Sequence, residues 1–160
     1  MFTFQDYRNS LYDLENCANN FFNSSSEKEF KTYLFRFKKL LNEDILISSI
    51  LNSIVENKKS IGWEEFFKLP YGRAHIREIN EPSDEGTHII TLIDLLDCFD
   101  NDTLSIDRVS LFTNSASSKN FTNRIQCSSN RIFMPLYLYI KKELEKGKLN
   151  MEENNKGTVV

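Results

Sequence analysis

Apolar residues in this chain recur at intervals of three and four, and that spacing restricts what it can fold into. Phe4, Tyr7, Leu11, Leu14, Ala18 and Phe21 are the clearest case. Side chains so spaced stack along one face of a helix, whereas a half-buried strand requires strict alternation. The pattern returns along most of the chain. It predicts an all-α fold, a single-domain irregular bundle of about six or seven helices. With only 5 glycines and 3 prolines, the chain is poor in the residues a turn-dense β protein needs.

Start and stop signals divide the pattern. Thr3 caps a first helix over residues 3–22, with Asp6 set to complement the helix dipole. The run from Asn23 to Ser26 breaks it. Ser26 and Glu29 have capping-box spacing and start a second helix carrying Phe30, Leu34, Phe37 and Leu41, with Lys31, Lys38 and Lys39 largely on its other face. Asn42 and Asp44 mark a turn or a fresh cap before a third helix built on Ile47, Ile50, Leu51, Ile54 and Val55. Trp63, Phe66, Phe67 and Leu69 form a short amphipathic helix that Pro70 ends. Residues 70–86 read as a long irregular connection.

A fifth helix over residues 87–99 is apolar on nearly every side and predicts the most buried segment. A short helix follows near Ile106, Val109 and Phe112. The last helix spans residues 119–146 along Phe121, Ile125, Ser128, Ile132, Leu136, Tyr139 or Ile140, and Leu144. Pro135 in its interior removes a backbone hydrogen bond, which predicts a kink or a break there. The helical domain therefore occupies residues 1–146, and the polar stretch 147–160 reads as a frayed tail.

At 160 residues the chain is long enough to bury a core without disulfides or metal. Its 13 phenylalanines imply that much of that core is aromatic. A net charge of −3 supplies no basic field for nucleic acid, so a nucleic-acid partner is not expected. Cys17, Cys98 and Cys127 are far apart and lack zinc-site spacing, which predicts free, mostly buried thiols in a reducing compartment. The first residues lack a basic segment followed by an apolar one, and no apolar run approaches the ~20 residues that cross a bilayer. A cytoplasmic protein without membrane contact is the expectation. Abundant Asn, Lys and Ile fit an AT-rich genome, such as that of a low-GC bacterium or its phage.

Few residues offer chemistry. Arg73, His75 and Arg77 form a basic cluster suited to a phosphate or an acidic ligand, balanced by Glu78 and Glu81. His88, with no carboxylate paired to it in sequence, reads as a cap or surface residue. Asp94, Asp97, Asp100 and Asp102 form an acidic run in which the first three are weak candidates for holding Mg²⁺ or Ca²⁺. The run departs from a calcium-binding loop because Leu104 stands where an oxygen ligand is needed. Glu64 and Glu65 are adjacent and do not face each other on a helix. No nucleophile elbow, phosphate-binding loop or dinucleotide fingerprint occurs. Arg124, Arg131, Lys141 and Lys142 are cations scattered along the last helix.

No cofactor is implied. The function these features favour is a non-catalytic helical interaction module, adaptor or regulatory, self-associating or part of a bacterial or phage regulatory or defence complex. Phe133, Leu136, Tyr137, Tyr139 and Ile140 place apolar groups on more than one helix face and are the expected interaction surface. The alternative is a metal-dependent phosphodiesterase or nuclease using the Asp94 to Asp102 run or the Arg73/His75/Arg77 loop.

Overall fold

The computed structural model describes residues 1–68, 79–113 and 121–157. Among the described residues there are seven helices and no strand: α1 (Phe4–Phe22), α2 (Glu27–Glu43), α3 (Ile45–Val55), α4 (Trp63–Phe67), α5 (Glu85–Asp100), α6 (Ile106–Thr113) and α7 (Phe121–Gly157).

The helix starts follow the local chemistry. The Thr3 hydroxyl accepts from the Asp6 N–H, and the Thr3 N–H donates to the Asp6 carboxylate at 2.7 Å, a complete capping box. At α2 the reciprocity is different. The Ser26 hydroxyl accepts from the Glu29 N–H, but the Glu29 carboxylate turns back one residue further, to the Ser25 N–H and hydroxyl at 2.8 and 2.6 Å. Asp44 caps α3 by accepting from the Ile47 N–H at 2.9 Å, and its second oxygen accepts from the Ser10 hydroxyl of α1 at 2.8 Å. One side chain thus starts a helix and ties it to a neighbour. Gly62 precedes α4 with φ 81°, a left-handed conformation that a side chain strains.

The core is aromatic at its centre. Phe21 of α1 stacks or tilts against Phe22, Phe30, Phe37 and Phe133 at centroid distances of 5.2–5.5 Å. Phe30 meets Phe99 at 5.5 Å, and Phe99 meets Phe133 at 5.9 Å. Phe21, Phe30, Phe99 and Phe133 therefore close a circuit of four buried rings contributed by α1, α2, α5 and α7. Each such pair adds about 0.5–1.5 kcal/mol beyond the area it buries. The bundle is pinned at this point.

α1 and α7 lie antiparallel. Near one end the Asn130 side chain of α7 donates to the Phe22 carbonyl at 3.2 Å and Gln126 donates to the Asn23 carbonyl at 3.3 Å, satisfying acceptors at the C-terminal end of α1. Further along, Phe22 meets Tyr137 edge to face, Lys141 pairs with Glu15, and Lys148 lies over the Phe4 ring. Pro135 sits inside α7 without dividing it in two, although it has no N–H to offer the Arg131 carbonyl. The helix also continues past residue 146 to Gly157, where composition alone gave a frayed tail. The first turn beyond residue 146 stays against α1: Gly147 presents no side chain, so the Tyr7 ring packs directly against it.

Two details of the expected core change. Leu46 joins Ile47, Leu51 and Ile54 inside, while Val55 lies exposed at the end of α3. α5 buries Ile89, Thr91, Leu92, Leu95, Leu96 and Phe99, but Ile90 and Ile93 are only partly covered. The buried Thr91 hydroxyl accepts from the Ile61 N–H at 3.1 Å and donates to the Thr87 carbonyl at 2.7 Å, fixing the strap that leads into α4.

Candidate functional site

The acidic run is the most concentrated chemistry in the described structure, and α2 determines what it does. Lys38 extends from α2 to Asp97 at 2.7 Å and Asp100 at 3.0 Å. Hydrogen bonding to Asp97 holds its ammonium above the ordinary lysine pKa, against the opposing effect of burial and with further help from Asp100. Lys31, two turns earlier, donates to the Phe99 and Asp100 carbonyls at 3.2 and 3.1 Å and pairs with Asp102 at 2.6 Å. It thereby caps the C-terminus of α5, the end where a cation is favoured. Asp94 accepts from the Ser60 hydroxyl at 2.9 Å, and that hydroxyl in turn accepts from the Gly62 N–H.

The four aspartates are thus engaged in scaffold contacts, Asp97 and Asp100 sharing Lys38. Among the described residues, no three His, Cys, Asp or Glu side chains gather as a metal site. Periodicity placed Lys31 and Lys38 off the apolar face of α2 but could not show that α5 would arrive beside them.

Arg73, His75 and Arg77 lie outside the described residues. His88 departs from the surface reading. It is half-buried, its ring 6.3 Å from that of Phe66, and its Nε2 is buried with no hydrogen-bond partner among the described residues. Burial holds its pKa below the ordinary histidine value; Glu81 and Glu85 pull it up and Arg131 pushes it down. A neutral native histidine follows. In the unfolded chain the imidazole takes up its proton first, so stability is lost as pH falls through about 6.5. The stability of His88→Phe is expected to fall less than that of the native chain between about pH 7.5 and pH 5. Urea titrations at the two pH values check this; equal losses in both proteins would contradict it. The carboxylates held low by capping, Asp6, Glu29 and Asp84, act in the same direction but below this window.

The thiols are unpaired among the described residues. Cys17 and Cys98 are partly buried, but Cys127 is exposed, a departure from the mostly buried expectation. Burial, with Asp94 and Asp97 nearby, pushes the Cys98 thiol up to about 11, so it carries little nucleophilic thiolate at neutral pH.

The expected interaction surface divides. Phe133, Leu136 and Ile140 are interior, and Phe133 belongs to the aromatic circuit, so these three are core rather than surface. Tyr137 and Tyr139 are half-buried, and Leu138 between them, which the sequence pattern did not single out, is 52% exposed. Nor are the α7 cations a free basic face: Arg124 pairs with Asp107, Arg131 with Glu81, and Lys141 with Glu15.

Other large apolar side chains stand in solvent, among them Tyr12, Phe35, Ile45 and Leu149. Between α2, α3 and α5 there is also an open cleft of about 270 Å³. Leu41, Leu51 and Leu96 form its apolar surface, Val55 and Ile93 lie beside them, and Lys38, Asn42, Asn52 and Asp97 supply polar groups. No described helix is long and apolar enough to cross a membrane. No family model matches the chain, and no curated protein or solved structure matches it.

Proposed function

We propose that this chain is a non-catalytic helical protein-interaction module of an adaptor or regulatory kind. The observation that supports the reading is a contrast in how side chains are used. The carboxylates best placed for chemistry are engaged in joining α2 and the α4 strap to α5, while large apolar groups on α1, α2, α3 and α7 remain exposed. Scattered exposed apolar residues are ordinary on a protein surface. Here one of them, Phe35, lies on the same side of α2 as Asn42, which lines a cleft of mixed polar and apolar character, and that combination fits partner binding.

The test is incubation of the chain with RNA and with DNA, with and without Mg²⁺, beside an Asp94→Ala/Asp97→Ala variant. The expected result is no metal-dependent cleavage by either protein. Cleavage by the native chain that disappears in the variant would overturn the reading in favour of a phosphodiesterase. A self-associating form of the module would use the α7 flank around Tyr137, Leu138 and Tyr139. Sedimentation checks that form: concentration-dependent association abolished by Tyr137→Glu/Tyr139→Glu supports it, and a strict monomer removes it.

A further inference from the structure

We propose that the outer face of α2 docks an acidic amphipathic helix of a partner protein, with Phe35 as the apolar anchor and the neighbouring cleft as the socket for one partner side chain. This rests on the interaction-module reading and names its surface and the chemistry of its partner.

α2 carries three phenylalanines. Phe30 and Phe37 are fully buried, but Phe35 is 55% exposed. Lys28, Thr32, Phe35 and Lys39 follow the four-three-four spacing of one helix face, so the exposed ring lies between two lysines. Lys31 and Lys38 are committed to α5, whereas Lys28 and Lys39 are exposed and make no ion pair among the described residues. α2 carries five basic and three acidic residues, in a chain whose net charge is −3. The face presents two lysines unpaired among the described residues, with an aromatic group between them.

The cleft adjoins this face. Asn42, which lines it, is seven residues from Phe35 and therefore on the same side of α2. Its volume of about 270 Å³ lies just under the ~300–1,000 Å³ of small-molecule pockets and accommodates one large apolar side chain. Val55, 46% exposed, stands at the end of α3 beside it. Lys28 and Lys39 are eleven residues apart, about 16 Å at 1.5 Å per residue. A complementary helix carries carboxylates about three turns apart with apolar residues between them. A basic and aromatic face also fits single-stranded nucleic acid. Only two lysines unpaired among the described residues, about 16 Å apart along the helix, stand on this face, too few to follow a phosphate backbone, which favours the protein partner.

Two fluorescein-labelled helical peptides of equal length test the assignment by anisotropy with the full chain. Both carry leucine at i, i+4, i+7 and i+11; one has glutamate at its polar positions and the other lysine. A labelled oligo-dT is the third probe. The glutamate peptide is expected to bind at least about tenfold more tightly than the lysine peptide, and Phe35→Ala to weaken it about tenfold or more, as loss of an aromatic anchor does. Lys28→Glu/Lys39→Glu is expected to erase the preference for glutamate. Because these side chains are exposed, the helical circular dichroism of the variants should be unchanged. Equal binding of the two peptides, insensitivity to both variants, or no binding of either peptide overturns the assignment. So does oligo-dT binding that the charge reversal abolishes, which would give the face to nucleic acid. None of these outcomes produces the metal-dependent cleavage that would overturn the module reading, so the two failures are distinguishable.

Discussion

Phe21→Ala is expected to cost about 3–5 kcal/mol, the range for truncating a fully buried aromatic residue. Its ring touches Phe22, Phe30, Phe37 and Phe133, and alanine leaves a void bordered by α2 and α7 as well as by α1 itself. A domain of this size has about 5–15 kcal/mol of stability in total, so the loss takes much of the margin. Urea unfolding followed by circular dichroism measures it, with Phe35→Ala as the comparison. The two substitutions remove the same atoms, but the exposed site should change stability by no more than about 0.5 kcal/mol. Similar losses at both positions would mean that the four-ring circuit is not where the bundle is held.

Gly147→Val is expected to destabilise the chain by about 1–3 kcal/mol, as overpacking does. A Cβ at this position would stand 2.5 Å from Cζ and 2.8 Å from the hydroxyl oxygen of Tyr7. Taken alone, a helical glycine is unfavourable, and valine should be a few tenths of a kcal/mol better. The two effects have opposite signs, and the measurement decides between them. In a Tyr7→Ala background the clash is gone and the penalty should shrink, giving a coupling of about 0.5–3 kcal/mol in a double-mutant cycle. If Gly147→Val stabilises both backgrounds equally, the end of α7 is not docked on α1.

These residues also show where sequence reading reaches its limit. The Phe4 to Phe21 stripe, the Ser128 position inside the α7 stripe and the caps at Thr3, Ser26 and Asp44 were legible because each depends on neighbours within a few residues. Gly147 was not. Composition says that a polar, glycine-containing stretch frays, whereas in the fold Tyr7 and Phe4 from the far end of the chain pack against Gly147 and Lys148. The apolar residues around Phe133 outnumber what one helix face needs, but Phe133, Leu136 and Ile140 face the interior. α7 is contacted by α1, α3, α5 and α6, so a broad apolar face there is interior.

The candidate site separates in the same way. That Asp94, Asp97, Asp100 and Asp102 lie close together is a property of the sequence. Whether such carboxylates hold a cation from solvent or lysines from another helix depends on what packs beside them, and here Lys31 and Lys38 of α2 fill that role. Phe35 is the converse case. Three phenylalanines lie within eight residues of α2; periodicity puts Phe30 and Phe37 on the inward stripe and leaves Phe35 off it, but only the packing shows that no other described helix covers that ring.

By itself the sequence determined the helical class, most helix boundaries and the inward faces, because hydrophobic spacing and capping act over one or two turns. The tertiary structure decided which charges are neutralised, how far α7 extends and which apolar groups meet solvent. Those outcomes depend on side chains tens of residues apart, and no local pattern records which helix will lie against which.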